Sequence, residues 1–306
     1  MGSIQILKDG DAASRDGWRG PETVLACKVL GLDVRFIAPA GRIAEALQAV
    51  YGAMRRSDAS ECAASQNHGV APELVVQIRP IAPASPRVEV SVDEMPPFEV
   101  ERLGDLLHQL DNFLTITLER RLPQLYFVHA AALVDRGSTT LLVGASGAGK
   151  STLAYALASA GLSYLSDELA PIVPESGLVL PYPRAICLKR DPPAPLAVPS
   201  SALRTEWTLH LRATDLGAAL EPEGAPLARI AFVHYSPDWQ RPELRRLSPG
   251  EASLRLYESA LNPLAHPSLG LDDTLGLVQR AECFELRTAA ILETVACLRE
   301  AAQDRR

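Results

Sequence analysis

The chain contains a glycine-rich stretch whose residue types and spacing can hold a polyphosphate. Residues 144–151 fit the pattern G-x-x-x-x-G-K-[ST] at every constrained position. The glycines let successive backbone N–H groups turn inward, and the lysine can reach the β- and γ-phosphates of a nucleotide. The hydroxyl that follows is a ligand for Mg²⁺. The predicted phosphate-binding residues are Gly144, Ala145, Ser146, Gly147, Ala148, Gly149, Lys150, Ser151 and Thr152.

Two adjacent carboxylates, Asp167 and Glu168, follow the next predicted strand along the chain. In an open α/β sheet, ligands collect at the carboxyl ends of the strands. A nucleoside triphosphate site needs carboxylates there, because the metal must be held and the attacking group must be oriented or deprotonated. We therefore expect Ser151, Asp167 and Glu168 to hold Mg²⁺. The alternative is an exposed acidic pair in a turn.

Three further side chains are candidates for the same chemistry. His129 interrupts an apolar run, where it can orient or tune an acidic group, although a lone histidine in such a run is more often a core residue. Arg184 and Lys189 bracket a short predicted strand, and either can neutralise charge on a transferring phosphoryl group. For both cations the alternative is a solvated position on the surface.

The predicted elements around these residues supply the strand and the helix that the loop requires. Residues 139–143 are typical of a buried strand, and residues 151–160 of a helix. Residues 125–134 are almost continuously apolar, which indicates a neighbouring strand covered on both faces. Further along the chain, the pattern predicts strands at 162–166, 230–235 and 283–286 and helices at 251–261 and 289–302. In the last helix, Leu292, Val295 and Leu298 are expected to form the buried edge.

Two intervening segments have weaker signals. Residues 171–200 hold eight of the chain's 24 prolines, too many for central strands or helices. We expect an irregular segment there, with one short strand at 185–188. Residues 201–227 have mixed polarity and are predicted to form a mobile lid or substrate loop.

The N-terminal part of the chain has no chemical motif, and its pattern predicts a small α+β domain. Strands are predicted at 32–38, 73–81 and 87–92, and a helix at 43–54. Residues 58–71 are polar and predict an exposed loop. An amphipathic helix over 103–118 ends before Pro123. The predicted domains are therefore 1–122, small α+β, and 123–306, an α/β catalytic domain.

Composition excludes several classes of protein. The 306 residues carry a net charge of −7, with 22% charged and 47% apolar residues, and no segment forms a basic stripe. Neither nucleic acid nor a membrane is an expected partner, and a cytoplasmic enzyme is the simplest interpretation. The five cysteines are scattered singly, so a structural zinc is not expected. The oligomeric state is left open, and a homo-oligomer is one alternative.

The run from His129 to Ala170 resembles the catalytic domain of HPr kinase/phosphorylase. It combines a histidine, a loop of the form G-x-S-G-x-G-K-S and an acidic pair six residues after Gly161. It is more similar to the HPr-kinase-related proteins of peptide biosynthesis clusters, including lasso peptide kinases, in which the P-R-x-I-x-L-K pattern of residues 183–189 also recurs. The resemblance covers roughly residues 125 to 190.

The resemblance implies a P-loop kinase core that uses ATP and Mg²⁺ to phosphorylate a hydroxyl. The acceptor would be a serine of a peptide or protein, for example a ribosomally made precursor peptide. By position, Ser151 would bind the metal, and His129 and Asp167 would form the catalytic pair. Glu168 stands where the bifunctional enzymes have a second aspartate, and Thr152 replaces a glutamate. The E-[IV]-R-G-[LIM]-G segment that accompanies phosphorylase activity is absent from the sequence.

The sequence also suggests different roles for the two carboxylates. Adjacent strand residues point to opposite faces, so only one of them is expected to face the γ-phosphate. We expect Asp167 to be the base, and Glu168 to assist the metal through water or to pack against a cation such as Arg184. No N-K-x-D or L-S-G-G-Q motif indicates another P-loop class. The alternative function is an ATP-binding regulatory or assembly module that transfers no phosphate.

Overall fold

The computed structural model describes residues 21–55, 74–82, 85–92 and 95–301. Their contacts divide into two compact units. The first contains the described residues up to Phe113 together with Leu203–Thr208, and the second contains Leu114–Ala202 and the described residues from Leu209 onward. The predicted domain boundary after residue 122 stays a prediction. The loop predicted at 58–71 lies outside the described residues.

The first unit is built on a five-stranded sheet. Neighbouring strands in this sheet are antiparallel, except that the second and third strands are parallel. The first and last strands of the sheet were not predicted, and the last contains Pro96 and Pro97, which an edge position tolerates. The order is β1 (Glu22–Val29), β2 (Leu32–Pro39), β3 (Leu74–Pro80), β4 (Val88–Val92) and β5 (Met95–Val100), with helix α1 (Arg42–Tyr51) after β2 and helix α2 (Leu103–Arg121) after β5.

The second unit contains a nine-stranded mixed sheet and a smaller antiparallel pair. The large sheet contains β6 (Tyr126–Val128), β7 (Ala130–Asp135), β8 (Ser138–Val143), β9 (Ser163–Ser166), β10 (Ala170–Val173) and β11 (Leu178–Val179). Next along the chain are β12 (Ile186–Leu188) and β14 (Leu209–Leu211), which pair with each other. Strand β13 (Leu203–Arg204) lies between them in the sequence and belongs to the first unit. The large sheet is completed by β15 (Ala225–Tyr235), β16 (Glu243–Arg246) and β17 (Glu282–Thr288).

The order of strands in the large sheet determines what surrounds β8. It runs β6-β10-β11-β15-β8-β7-β9, with β17 beside β15 and β16 beside β17. β8 is parallel to β15 on one side and antiparallel to β7 on the other. The carboxyl ends of β8, β15 and β17 therefore meet at one edge of the sheet, as do the start of β7 and the end of β9.

Helices cover both faces of this sheet, which makes the second unit a mixed α/β structure, as predicted. On one face the core joins Leu142 and Ala231 of the sheet to Leu153 and Val295 of helices. On the other face Leu141 is part of a separate core. Because β8 is covered on both sides, its apolar run is continuous. The helices are α3 (Lys150–Ser159) and α6 (Ile291–Ala301) on the first face, and α4 (Pro249–Glu258) and α5 (Leu271–Arg280) on the second.

Several predicted elements differ from the structure. The apolar run at 125–134 is two strands, β6 and β7, because the His129 N–H bonds to the Ser259 carbonyl at 2.9 Å rather than to a neighbouring strand of the sheet. The proline-rich segment contains two strands, β10 and β11, that were not predicted, and α5 was missed as well. In α6, Val295 and Leu298 are buried as expected, but Leu292 is exposed. None of the described helices is long and apolar enough to cross a membrane.

Candidate active site

The glycine-rich loop joins β8 to α3, as the sequence predicted. A Cβ added to Gly144 would lie 2.7 Å from the Val233 carbonyl oxygen, so no side chain fits there. Gly149 has a φ of 94°, a left-handed conformation that favours glycine, and it precedes the first residue of α3. The first helical hydrogen bond runs from the Leu153 N–H to the Gly149 carbonyl at 2.9 Å. The N–H groups of residues 150–152 therefore have no carbonyl partner within the helix and are suited to bind an anion.

Lys150 is folded back over this loop. Only 7% of the residue is exposed, and its Nζ donates to the carbonyls of Gly144 at 2.6 Å and Ala145 at 3.4 Å. Burial lowers the pKa of Lys150, while the nearby charges of Glu168 and Asp167 act to raise it. The ammonium group is thus within electrostatic reach of both carboxylates. A phosphate oxygen can replace the loop carbonyls as its partner.

Asp167 and Glu168 lie in a bend between β9 and β10. The Ser166 hydroxyl holds this bend by accepting a hydrogen bond from the Leu169 N–H at 3.2 Å and donating to the Leu169 carbonyl. Both carboxylates come after the last residue of β9, so the alternation of a strand does not assign them to opposite faces. The direction of each side chain is therefore set by its own contacts and not by strand alternation.

Asp167 points into the protein. It is fully buried, and its Oδ2 accepts a hydrogen bond from the Cys187 N–H at 2.8 Å. Its Oδ1 is also buried and meets no donor in hydrogen-bonding geometry in the described chain. Burial and the charge of Glu168 raise the pKa of Asp167 to about 7, although the Cys187 N–H, the charge of Arg184 and the Ser151 hydroxyl oppose that rise.

The surroundings of Asp167 determine whether the site could bind a metal ion. In the described ranges, no group of three or more His, Cys, Asp or Glu side chains could hold a metal ion. A buried carboxylate oxygen without a donor, close to the hydroxyl of Ser151, nevertheless fits a cation that takes its other ligands from phosphates and water. Mg²⁺ is bound in this manner at many nucleotide sites.

Glu168 has a different environment. Its side chain is 39% exposed, and its Oε2 lies 3.0 Å from Nε2 of His129, whose side chain is equally exposed. Burial acts to raise the pKa of Glu168, but the hydrogen bond with His129 and the charges of Arg184 and Lys150 outweigh it and lower that pKa. In the structure His129 is therefore hydrogen-bonded to Glu168 and not to Asp167, which turns inward to Cys187. The catalytic pairing of His129 with Asp167 stays a prediction.

The two predicted cations reach the site in different ways. Arg184 is buried, and its charge acts to lower the pKa of both Asp167 and Glu168, so it is not a solvated surface residue. Lys189 is exposed, but its Nζ donates to the Ser146 hydroxyl of the glycine-rich loop at 2.6 Å. Strand β12 lies between these two cations and brings one to the carboxylates and the other to the loop.

Sequence reasoning missed two contributors to this site. One is the backbone N–H of Cys187, which no residue-type pattern can reveal. The other is His210, a buried residue of β14 that lies opposite Cys187 in the register of β12 and β14. Burial and the charge of Arg184 lower the pKa of His210 to about 3, against the effect of Glu168. Its one signal in the sequence is its position between Leu209 and Leu211 in a segment of otherwise mixed polarity.

Comparison of the sequence with protein-family models and with curated proteins returns no match. Among solved structures, the chain is similar to the Hpr(Ser) kinase/phosphatase from Coxiella burnetii, with 12% sequence identity over 58% of this chain and 98% of that chain. The TM-score is 0.30. A likeness at this level carries no argument about the function, which rests on the geometry of the site.

Proposed function

We propose that the chain is an ATP-dependent kinase with a P-loop core of the HPr-kinase-like type, which transfers the γ-phosphate of ATP to a hydroxyl. The observation that carries this proposal is the convergence of Lys150, the buried Asp167 and the half-exposed Glu168–His129 pair at the glycine-rich loop. A loop that only connected a strand to a helix would have no need of two carboxylates with opposite pKa shifts beside its lysine.

In this proposal, Ser151 and Asp167 hold the Mg²⁺ that accompanies ATP. The support is the carboxyl group of Asp167, whose pKa a hydrogen bond with the Ser151 hydroxyl acts to lower and whose buried Oδ1 meets no donor in hydrogen-bonding geometry among the described residues. When bound, Mg²⁺ neutralises charge on the phosphates. Lys150, Arg184 and Lys189 are the cations that would stabilise the negative charge of the transferring phosphoryl group.

We assign the general base to Glu168 and the orientation of its carboxylate to His129. This exchanges the roles expected from the sequence, because the fully buried Asp167 is out of reach of an acceptor hydroxyl whereas Glu168 is half-exposed. The acceptor oxygen would attack the γ-phosphorus as its proton passes to Glu168. The bond from the γ-phosphorus to the bridging oxygen breaks, and ADP and a phosphate monoester are released.

The acceptor is proposed to be a serine of a peptide or protein, such as a precursor peptide in a biosynthesis cluster. This part rests on the resemblance over residues 125 to 190 and on the exposed carboxylate at the site. A cytoplasmic location and the lack of a nucleic-acid partner are proposals drawn from composition. The rival is an ATP-binding regulatory module, which would bind nucleotide in the same loop without transferring phosphate.

The test is transfer of label from γ-labelled ATP to a degenerate peptide library with a fixed central serine. A matched library with alanine at that position serves as the control. We expect Mg²⁺-dependent labelling of the serine library alone, and no phosphorylated enzyme residue as an obligatory intermediate. Binding of ATP with no labelling of either library, or of protein acceptors from a cell extract, would favour the regulatory module.

A further inference from the structure

Tyr235 is the last residue of β15, a strand that lies between β8 and β17 in the sheet, and its aromatic side chain is exposed to solvent. It is 56% exposed, although Val233, two residues earlier on the same strand, is fully buried. Strand alternation places Tyr235 on the same face as Ala231 and Val233, the face that α3 and α6 cover. Its ring is thus at the edge of the sheet from which the glycine-rich loop emerges.

The end of β15 runs directly along that loop. A Cβ added to Gly149 would lie 3.9 Å from the Cβ of Tyr235, which is van der Waals contact. The closer approach of Gly144 to the Val233 carbonyl fixes the other end of the loop against the same strand. The Cβ of Tyr235 is therefore close to the last glycine before α3.

The strand order determines which end of a bound nucleotide would lie there. β8 leads into the loop, with β7 and β9 on one side of it and β15 on the other. His129 precedes β7 and the acidic bend follows β9, so the γ-phosphate must lie toward that side for transfer to occur. A linear triphosphate wrapped along the loop then directs its α-phosphate and nucleoside toward β15.

We propose that Tyr235 forms the nucleobase subsite, with its ring stacked on the base of the bound nucleoside triphosphate. This inference rests on the proposed function, since it takes the direction of the triphosphate from the transfer site. Every nucleobase has a π face, so a single aromatic ring contributes affinity without selecting one base. The subsite therefore accepts adenine and guanine alike.

The test compares three ligands that share a triphosphate chain, two of which carry a base and one of which does not. Binding of ATP, GTP and inorganic tripolyphosphate, each with Mg²⁺, is measured by calorimetry for the native protein and for Tyr235→Ala. We expect ATP and GTP to bind about 5- to 150-fold more weakly to Tyr235→Ala, the range that stacking contributes, and tripolyphosphate to bind unchanged. Tyr235→Phe should retain nucleotide binding, because the ring is kept.

Trp207→Ala is the matched control, because Trp207 is an aromatic residue of similar exposure, 53%, in the first unit. It should leave all three affinities unchanged. Equal ATP affinity of the native protein and Tyr235→Ala would overturn the subsite while leaving the kinase proposal intact. Parallel losses for ATP and tripolyphosphate would also overturn it, since Tyr235 would then support the loop rather than the base. Failure of the native protein to bind any of the three ligands would overturn the proposed function itself.

Discussion

The glycine-rich loop and the acidic bend are both short turns at the same edge of one sheet, yet they are specified in different ways. In the loop, the residues that matter are neighbours in sequence: Lys150 donates to carbonyls five and six residues earlier. In the bend, each carboxylate takes its partner from far along the chain. Glu168 bonds to His129, 39 residues away, and Asp167 to Cys187, 20 residues away.

A sequence motif can thus determine where a carboxylate lies without determining its chemical role. Asp167 and Glu168 have nearly the same chemistry and are adjacent, but the pKa of the first is raised and that of the second is lowered. Burial dominates at Asp167, whereas a histidine and several cations outweigh burial at Glu168. One carboxylate is therefore suited to a metal and the other to a hydroxyl.

The largest effect on activity is expected from substitution of Glu168, the half-exposed carboxylate of the bend. Glu168→Gln keeps a partner for His129 but removes the base, so we expect kcat to fall by about 10²- to 10⁴-fold with little change in ATP affinity. Glu223→Gln, at an exposed carboxylate outside the site, is the control for loss of charge. If Asp167→Asn lowered kcat more than Glu168→Gln at saturating Mg²⁺, the two roles would have to be exchanged.

Substitution of Lys150 in the glycine-rich loop should lower kcat nearly as much. Lys150→Ala removes a cation that would stabilise charge in the transition state, and we expect a loss of roughly 10²- to 10³-fold in kcat with the fold retained. Lys28→Ala, which removes an exposed lysine of the first unit, is the matched control. A Lys150→Ala protein with an unchanged rate would end the kinase proposal.

The pH dependence of the Mg²⁺ requirement tests whether Asp167 is the carboxylate that binds the metal. Asp167 must be charged to hold a cation, and its pKa is about 7. The Mg²⁺ concentration needed for half-maximal nucleotide binding should therefore rise as pH falls below 7, by up to about tenfold per unit. Asp167→Asn should show a high requirement that varies little with pH. A native requirement that stays constant from pH 8 to pH 6 would contradict this assignment.

Asp167 should also destabilise the protein when no metal is bound. Because its pKa is raised from 3.8 to about 7, the folded state binds the proton more tightly than the unfolded state does. The stability that this proton contributes is present below about pH 4 and is lost as pH rises through 7. Asp167→Asn keeps an acceptor for the Cys187 N–H and removes the buried charge. It should melt higher than the native protein at pH 8, by about 2–4 °C for each kcal/mol that the substitution adds to the free energy of unfolding. Near pH 4 the two melting temperatures should converge, and a native protein that melted higher at both pH values would contradict the raised pKa.

The smallest effect is expected for the contact between Lys189 and Ser146. Both Lys189→Ala and Ser146→Ala remove this exposed hydrogen bond, and an exposed pair of this kind contributes about 0.2–1 kcal/mol. The serine variant should therefore raise KM for ATP by less than about fivefold. The lysine variant should lose more than the serine variant, because Lys189 is also proposed to stabilise the transferring phosphoryl group. Equal small losses for the two variants would contradict that role and limit Lys189 to holding the loop.

Much of the fold could be predicted because its signals are local. The apolar run of β8, the glycines of the loop and the helical pattern of α3 lie within about twenty consecutive residues, and the structure has all three in the predicted order. The strands β10 and β11 could not be predicted in the same way. They have four and two residues in a proline-rich segment, and they exist because β6 and β15 supply their hydrogen-bond partners.

The sequence by itself determined that a glycine-rich loop joins a strand to a helix, which residues form that loop and that two carboxylates follow the next strand. Only the tertiary structure decided which carboxylate is buried, which one is hydrogen-bonded to His129, and that the Cβ of Tyr235 in β15 lies near Gly149. The reason is physical. Backbone shape and helical pattern depend on neighbours along the chain, whereas burial and electrostatic environment depend on residues that the sheet brings together from distant positions.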